Sequence, residues 1–329
     1  MKNLLRLLRF TVLSILVVIA LGGALFGYFI YSPDPEMPPL SGTLTKASIE
    51  VGGLKRTYRT YIPKGLPKSA PLVVVMHGSG QNGAQIRLET GYGFERLADS
   101  HGFAVVYPNA YTFDWNDCSK VGDFSIDGVD VDDVGFLNLL VDKLIAEVGV
   151  DHNRVFATGV SAGGFMSIRL ALEASTRFRA VAAVSANVPS PENFKCTPMG
   201  QGASVMIMNG TKDPLVPFDG GESSLFGLFF KGGNVRSARE SVQYFADHNH
   251  IVAPPTLTQS AAVDGVGVEQ LSWRDTSAVE VELVTIHGGG HGLPQPYWRR
   301  PRLLGPSPMA PNGPEIIWAF FERQRPLRN

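Results

Sequence analysis

Residues 154–166, Arg154-Val155-Phe156-Ala157-Thr158-Gly159-Val160-Ser161-Ala162-Gly163-Gly164-Phe165-Met166, decide how the rest of the chain is read. A short apolar run (Val155, Phe156, Ala157) enters Gly159-Val160-Ser161-Ala162-Gly163, and a segment with apolar residues at Phe165, Ile168, Leu170 and Leu172 follows. The pattern predicts a strand, a sharp turn and a helix. A serine on such a turn holds its hydroxyl clear of its neighbours at the tip of a sheet, with a helix N-terminus behind it to favour developing negative charge. The flanking glycines fit where strand and helix fold back on each other and a Cβ would clash.

Outward from this turn the same alternation recurs. Upstream, Leu44 to Val51 and Leu54 to Ile62 predict two strands joined at Gly52-Gly53. Pro71 to Met76 and Phe103 to Tyr107 are continuous apolar runs, expected of central strands buried on both faces. Between them Phe94, Leu97 and Ala98 carry helical spacing before Gly102. Val134, Leu137, Val141, Leu144, Ile145 and Val148 mark one face of a helix, with Asp132 or Asp133 as its N-cap. Downstream, strands are predicted at Phe178 to Val184, Val205 to Met208 and Val281 to Ile286, and helices at Val235 to His248 and Glu315 to Arg323. Strands alternating with helices imply an α/β fold, a mainly parallel central sheet with helices on both faces. Every parallel strand then ends on one edge, where sites form.

The chain has 329 residues, 44% of them apolar, and a net charge of −1. It can bury a large core, and it lacks the excess of positive charge that nucleic acid binding needs, so no nucleic acid partner is expected. The N-terminus divides differently. Residues 1–9 hold Lys2, Arg6 and Arg9, and residues 10–31 are uncharged. At about 1.5 Å per residue that run would cross a hydrocarbon core of about 30 Å. The basic flank predicts a cytoplasmic N-terminus and a signal-anchor helix, with the rest of the chain outside. A cleaved signal, using Ala20-Leu21-Gly22, is the competing reading. Residues 32–42 are proline-rich and predict a semi-extended linker, and residues 43–329 form the folded domain. Cys118 and Cys196 both lie on the exported side, where an oxidising compartment favours a disulfide between them.

Serine is a poor nucleophile at neutral pH without a base, whose tautomer a third group must fix. Seven histidines are available. His101, His152, His248 and His250 fall in helix ends or polar loops, and His77 ends a strand. His287 and His291 flank Gly288-Gly289-Gly290 after the last predicted strand. A glycine triplet lets a loop approach closely, which favours His291 over His287 as the base. Asn209-Gly210-Thr211-Lys212-Asp213-Pro214 follows the Val205 to Met208 run and offers Asp213 as the acid, although Asp before Pro is also a common turn former. Asp123, Asp127, Asp130, Asp132 and Asp133 form a rival acidic run. It lacks EF-hand spacing, so neither a metal nor a cofactor is expected. The tetrahedral oxyanion needs donors: the backbone N–H of Ala162, and that of Ser79 in the loop after Met76.

Four separated blocks, residues 73–83, residues 131–167 (VDDVGFLNLLVDKL with VDHNRVFATGVSAGGFMS), residues 209–218 (NGTKDPLVPF), and GGGHGLP with EIIWAFFER, are similar to the polyhydroxybutyrate-depolymerase-like and feruloyl-esterase-like esterases of the α/β-hydrolase superfamily. The resemblance runs from about Pro71 to Arg323. It implies an α/β-hydrolase fold in which Ser161 is the nucleophile, Asp213 the acid and His291 the base, with Ser79 and Ala162 as oxyanion donors. It also implies Trp115, and Leu293 after the histidine, as cleft-lining residues. Relatives commonly follow the histidine with Thr-Trp-Pro-Gly, whereas this chain has Gly292-Leu293-Pro294-Gln295. Secreted polymer depolymerases usually add a linker and a polymer-binding domain after the last helix. The expectation is therefore a membrane-tethered serine esterase of soluble or oligomeric hydroxyalkanoate- or feruloyl-type esters, working through an acyl-enzyme. A serine peptidase of prolyl-oligopeptidase type and a non-catalytic anchored binding module are the alternatives.

Overall fold

Six buried, mostly apolar strands lie side by side in parallel at the centre of the molecule, and everything else is arranged around them. The computed structural model describes residues 2–112, 114–121, 125–126, 129–200, 202–263, 265–274 and 279–324. Helix α1 (Lys2–Phe29) leads into β1 (Thr43–Val51), β2 (Leu54–Ile62) and β3 (Leu72–Met76). Helices α2 (Gly83–Glu89) and α3 (Gly93–His101) precede β4 (Ala104–Pro108), and a small hairpin, β5 (Ser125–Ile126) and β6 (Val129–Asp130), precedes α4 (Asp133–Val148). Next come β7 (Val155–Val160), α5 (Ala162–Glu173), β8 (Ala180–Val184), β9 (Ser204–Gly210) and a hairpin of β10 (Gly221–Leu225) with β11 (Phe229–Val235). The chain continues through α6 (Ala238–His248), β12 (Thr256–Val263), β13 (Val266–Arg274) and β14 (Glu280–Ile286), and then through a single 3-10 turn (Arg302–Leu304) to α7 (Gly313–Glu322).

The main sheet runs β1-β2-β4-β3-β7-β8-β9-β14-β13-β12. The steps from β4 to β14 are parallel, and the hairpins β1–β2 and β12–β13 pair antiparallel at its two edges. Alternation along β3 sorts the core into two layers. Leu72, Val74 and Met76 pack with residues of α4, α5 and α6, whereas Val73 and Val75 pack with residues of α2, α3 and α7. This is the α/β-hydrolase arrangement that the sequence implied. It sets the C-terminal ends of β3, β7, β9 and β14 along one edge.

Three parts depart from expectation. The helix expected from Val235 starts at Ala238, because Ser237 and Glu240 form a reciprocal capping box there and Val235 ends β11. The hairpin β12–β13 was not foreseen: Thr256–Val263 has Leu257 and Val263 as its large apolar residues, and β12 is placed at the sheet edge by β13, which itself pairs with β14. The proline-rich stretch does not stand clear of the domain as a spacer. Pro35 and Pro38 are buried, the Trp298 indole N–H donates to the Pro33 carbonyl at 2.8 Å, and Ser41 is bonded to the Asp99 carboxylate. Two carboxylates of the acidic run have structural partners. Asp132 caps α4 by accepting from the Gly135 N–H, and Asp133 is buried against Arg56 and accepts the Asn116 N–H. Asp123 and Asp127 lie outside the described residues.

Cys118 and Cys196 form a disulfide with Cα atoms 4.9 Å apart, closing a loop across 78 positions. The chain-entropy model gives about 4 kcal/mol for a loop of that size. Reduction is therefore expected to lower the melting temperature by roughly 10 °C. Mass after alkylation of the unreduced, denatured protein checks the premise, since addition of two alkyl groups would mean that no bridge exists.

Candidate active site

The turn at Ser161 is enforced by packing. Ser161 has φ 57° and ψ −120°, a conformation costing about 1–3 kcal/mol that only a well-determined surrounding holds in place. Its N–H donates to the Val184 carbonyl at 2.9 Å, and α5 begins at the next residue. A Cβ at Gly159 would run into the Gly163 backbone, and one at Gly163 into the Met76 carbonyl. These two positions thus have to be glycine for strand and helix to approach so closely. Ala162 opens the helix, so its N–H has no intrahelical acceptor and points past the helix end.

His291 reaches the site on a loop laced to its neighbours. Lys212 N–H donates to Gly289 O at 2.8 Å, Gly288 N–H to the Thr211 hydroxyl at 2.8 Å and Gly292 N–H to the Ser185 hydroxyl at 2.6 Å. The His291 N–H itself donates to Leu304 O at 2.8 Å. In this frame the His291 Nδ1 lies 2.9 and 3.0 Å from the two carboxylate oxygens of Asp213. The Asp213 side chain is fully buried, and its Oδ1 also accepts the N–H groups of Leu215 and Val216. Burial pulls its pKa upward, but the His291 charge and these hydrogen bonds outweigh that, and it lies below the ordinary carboxylate value. An ionised Asp213 holds the proton on Nδ1 and leaves Nε2 free to accept one.

Ser161, Ala162, Ser79 and His291 line one cavity of about 280 Å³, with Phe165 and Val216 on its apolar wall. Among the described residues no hydrogen bond joins Ser161 to His291, and such bonds commonly close only around substrate. Trp115 and Leu293 are not on the cavity wall. Trp115 is fully buried with its indole N–H on the His77 carbonyl at 2.9 Å, and Leu293 sits in the core against Gly313. Side-chain direction, which sequence position does not fix, turned both inward.

His77 belongs to the scaffold of this site. Its Nδ1–H donates to Gly78 O at 2.8 Å, and its Nε2 accepts the Ala110 N–H at 3.1 Å, which fixes the neutral tautomer. Burial, with a smaller push from the Arg56 charge and against the Gly78 hydrogen bond, lowers its pKa to about 4. Gln81 and Glu89 continue the support: Gly78 N–H donates to the Gln81 side chain, whose amide donates to Glu89. Thr211, Ser185, Gln81 and Leu304 escaped sequence reasoning. Thr211 sits inside the Asn209–Pro214 turn, where a hydroxyl beside the acid was a usable hint. Leu304 carried none, because only its carbonyl is used.

Asp117, next to the disulfide, also lines the cavity. Burial raises its pKa from 3.8 to about 6, opposed by hydrogen bonds from Ser119 and by the Lys195 charge. Folding therefore favours its protonated form. That contribution is full below the unfolded value near pH 4 and is lost as pH rises through about 6. Asp117→Asn keeps an acceptor for the Ser119 N–H and removes the charge. It is expected to stabilise the protein by roughly 1–3 kcal/mol at pH 8 and to change little at pH 4. Urea unfolding at both pH values is the check, and equal shifts at the two would contradict the raised pKa.

Residues 56–216 match the family described as Esterase PHB depolymerase. The chain is 31% identical over 294 residues to "Putative esterase NocK" of Nocardia uniformis subsp. tsuyamanensis, covering 84% of this chain and 81% of that one. It is 26% identical to Poly(3-hydroxyalkanoate) depolymerase C of Paucimonas lemoignei, over 71% of this chain and 58% of that protein. It is also 30% identical to Feruloyl esterase C of Emericella nidulans, over 54% and 62% respectively. The chain thus spans less than two thirds of the length of these last two relatives. In fold it matches an acetyl xylan esterase from Aspergillus awamori with a TM-score of 0.54 and 19% identity, over 76% of this chain and 94% of that structure.

Proposed function

Since this chain belongs to the Esterase PHB depolymerase family, and so is a carboxylic ester hydrolase, we propose that it cleaves its ester through Ser161, His291 and Asp213 by way of an acyl-enzyme. The observation that carries this reading is the His291 to Asp213 hydrogen bond at 2.9 Å in the cavity that Ser161 also lines. Ser161 Oγ attacks the ester carbonyl while His291 Nε2 takes its proton. Asp213 holds the imidazole in the tautomer that can accept this proton and then steadies the imidazolium. The N–H groups of Ala162 and Ser79 receive the oxyanion, each such donor being worth about 3 kcal/mol in the transition state. His291 returns the proton to the leaving alcohol, the ester C–O bond breaks, and Ser161 carries the acyl group. Water, deprotonated by His291, then attacks the acyl-enzyme and frees the acid.

The names of the relatives support hydroxyalkanoate- or feruloyl-type esters as the substrate class, which in this reading are soluble or oligomeric. The apolar helix α1, with Lys2, Arg6 and Arg9 before its uncharged run, supports an anchored protein whose hydrolase domain lies outside the cytoplasm. A fluorophosphonate probe should label the protein on Ser161, and p-nitrophenyl esters should be turned over in preference to peptide anilides. Labelling at another residue would overturn the mechanism, and preferential anilide cleavage would move the protein to the peptidases.

A further inference from the structure

We propose that the mouth of the Ser161 cavity opens at the bilayer surface in which α1 sits, and that it also admits esters dissolved in that lipid. The proposal rests on the ester-hydrolase reading above and adds where the substrate comes from. Residues Arg6–Phe29 are apolar enough to cross a membrane, and the apolar window within them packs against nothing. The domain is nevertheless held close to the end of this helix. The Arg302 guanidinium lies 4.1 Å above the Tyr28 ring, the Ser32 hydroxyl donates to the Arg299 carbonyl, and the Trp298 indole donates to Pro33.

The segment so tethered is also part of the site. Leu304, two residues after Arg302, lines the cavity, and its carbonyl accepts the His291 N–H. The cavity wall therefore begins about where the helix leaves hydrocarbon. The side chains there suit a headgroup layer: Tyr31, Tyr297, Arg299 and Arg302 are exposed, a pairing of aromatic and basic residues typical of membrane interfaces.

A second element of the same cavity is also built for lipid. Ser223, Lys231 and Gly232 of the β10–β11 hairpin line it, and the tip of that hairpin presents Phe226, Leu228 and Phe229 at 65%, 72% and 60% exposure. Single exposed apolar residues are ordinary, but three within four positions beside a cavity form a patch that water disfavours and a lipid surface accepts. An ester that partitions into the bilayer would meet Ser161 between this tip and the tethered Arg302–Leu304 turn.

The test uses the full chain reconstituted in phosphatidylcholine vesicles that contain a minor share of anionic lipid. Two esters are compared: p-nitrophenyl acetate in the water and p-nitrophenyl decanoate dissolved in the vesicles. The variant F226D/L228D changes only the tip, outside the paired strands. Its rate on the vesicle-borne ester is expected to fall at least ten-fold, with acetate turnover unchanged. Equal losses on both esters would make the tip a mere support of the cavity, and no loss on either would leave it without a role; each overturns the proposal. So does a wild-type protein that hydrolyses acetate but not the lipid-dissolved ester, or one recovered without α1. Failure on both esters by the wild type would instead remove the hydrolase reading itself.

Discussion

Ser161→Ala is expected to lose ester turnover on the order of a million-fold, about 8 kcal/mol of barrier, while the protein melts as the wild type does. The loss is that large because the attacking oxygen has no substitute. The fold survives because the Ser161 hydroxyl caps no helix amide, so its removal leaves no buried donor unpaired. Alanine also meets the positive φ no worse than serine does, since the strain belongs to any residue with a Cβ. Kinetics of the purified variant, beside its thermal melt, settle the matter, and turnover near the wild-type rate would remove Ser161 from the mechanism.

His291→Ala should match that loss, and Asp213→Asn should cost about ten-thousand-fold. The smaller figure follows from geometry. An amide at position 213 donates where a carboxylate accepts, so the imidazole moves its proton to Nε2 and can no longer take one from Ser161. His287→Ala is the control. Its ring is exposed beside solvent, and among the described residues its hydrogen bonding is through the backbone N–H, on the Gly267 carbonyl at 3.0 Å. Should kcat collapse in the His287 variant and survive in the His291 one, the base has been assigned to the wrong end of the glycine triplet.

Strands β3, β4, β7, β8, β9 and β14 were legible because a strand buried on both faces carries a run of apolar residues, and few other segments read that way. The positions proposed to carry the chemistry stood out for a related reason. Ser161, Asp213 and His291 each follow such a strand within a few residues, on the edge where parallel strands all end. What stayed hidden depends on which way a side chain turns or on backbone groups alone. Trp115 and Leu293 sit near the site in sequence, yet both point into the core. Leu304 holds His291 through a carbonyl that every residue type has. The β12–β13 hairpin is set by a partner strand, and an edge strand half open to solvent has no strong pattern of its own.

The order of the strands has a consequence for biosynthesis. Ser161, the proposed nucleophile, is made first, Asp213 some fifty positions later, and His291 only after β14, while the carbonyl that accepts the His291 N–H arrives later still, at Leu304. Contacts so distant along the chain form late, after their loops have closed. An emerging or partly threaded polypeptide thus carries Ser161 without His291, and the cavity is complete only once Leu304 has been made. Whatever ester surrounds the unfinished chain is left intact until that segment is in place.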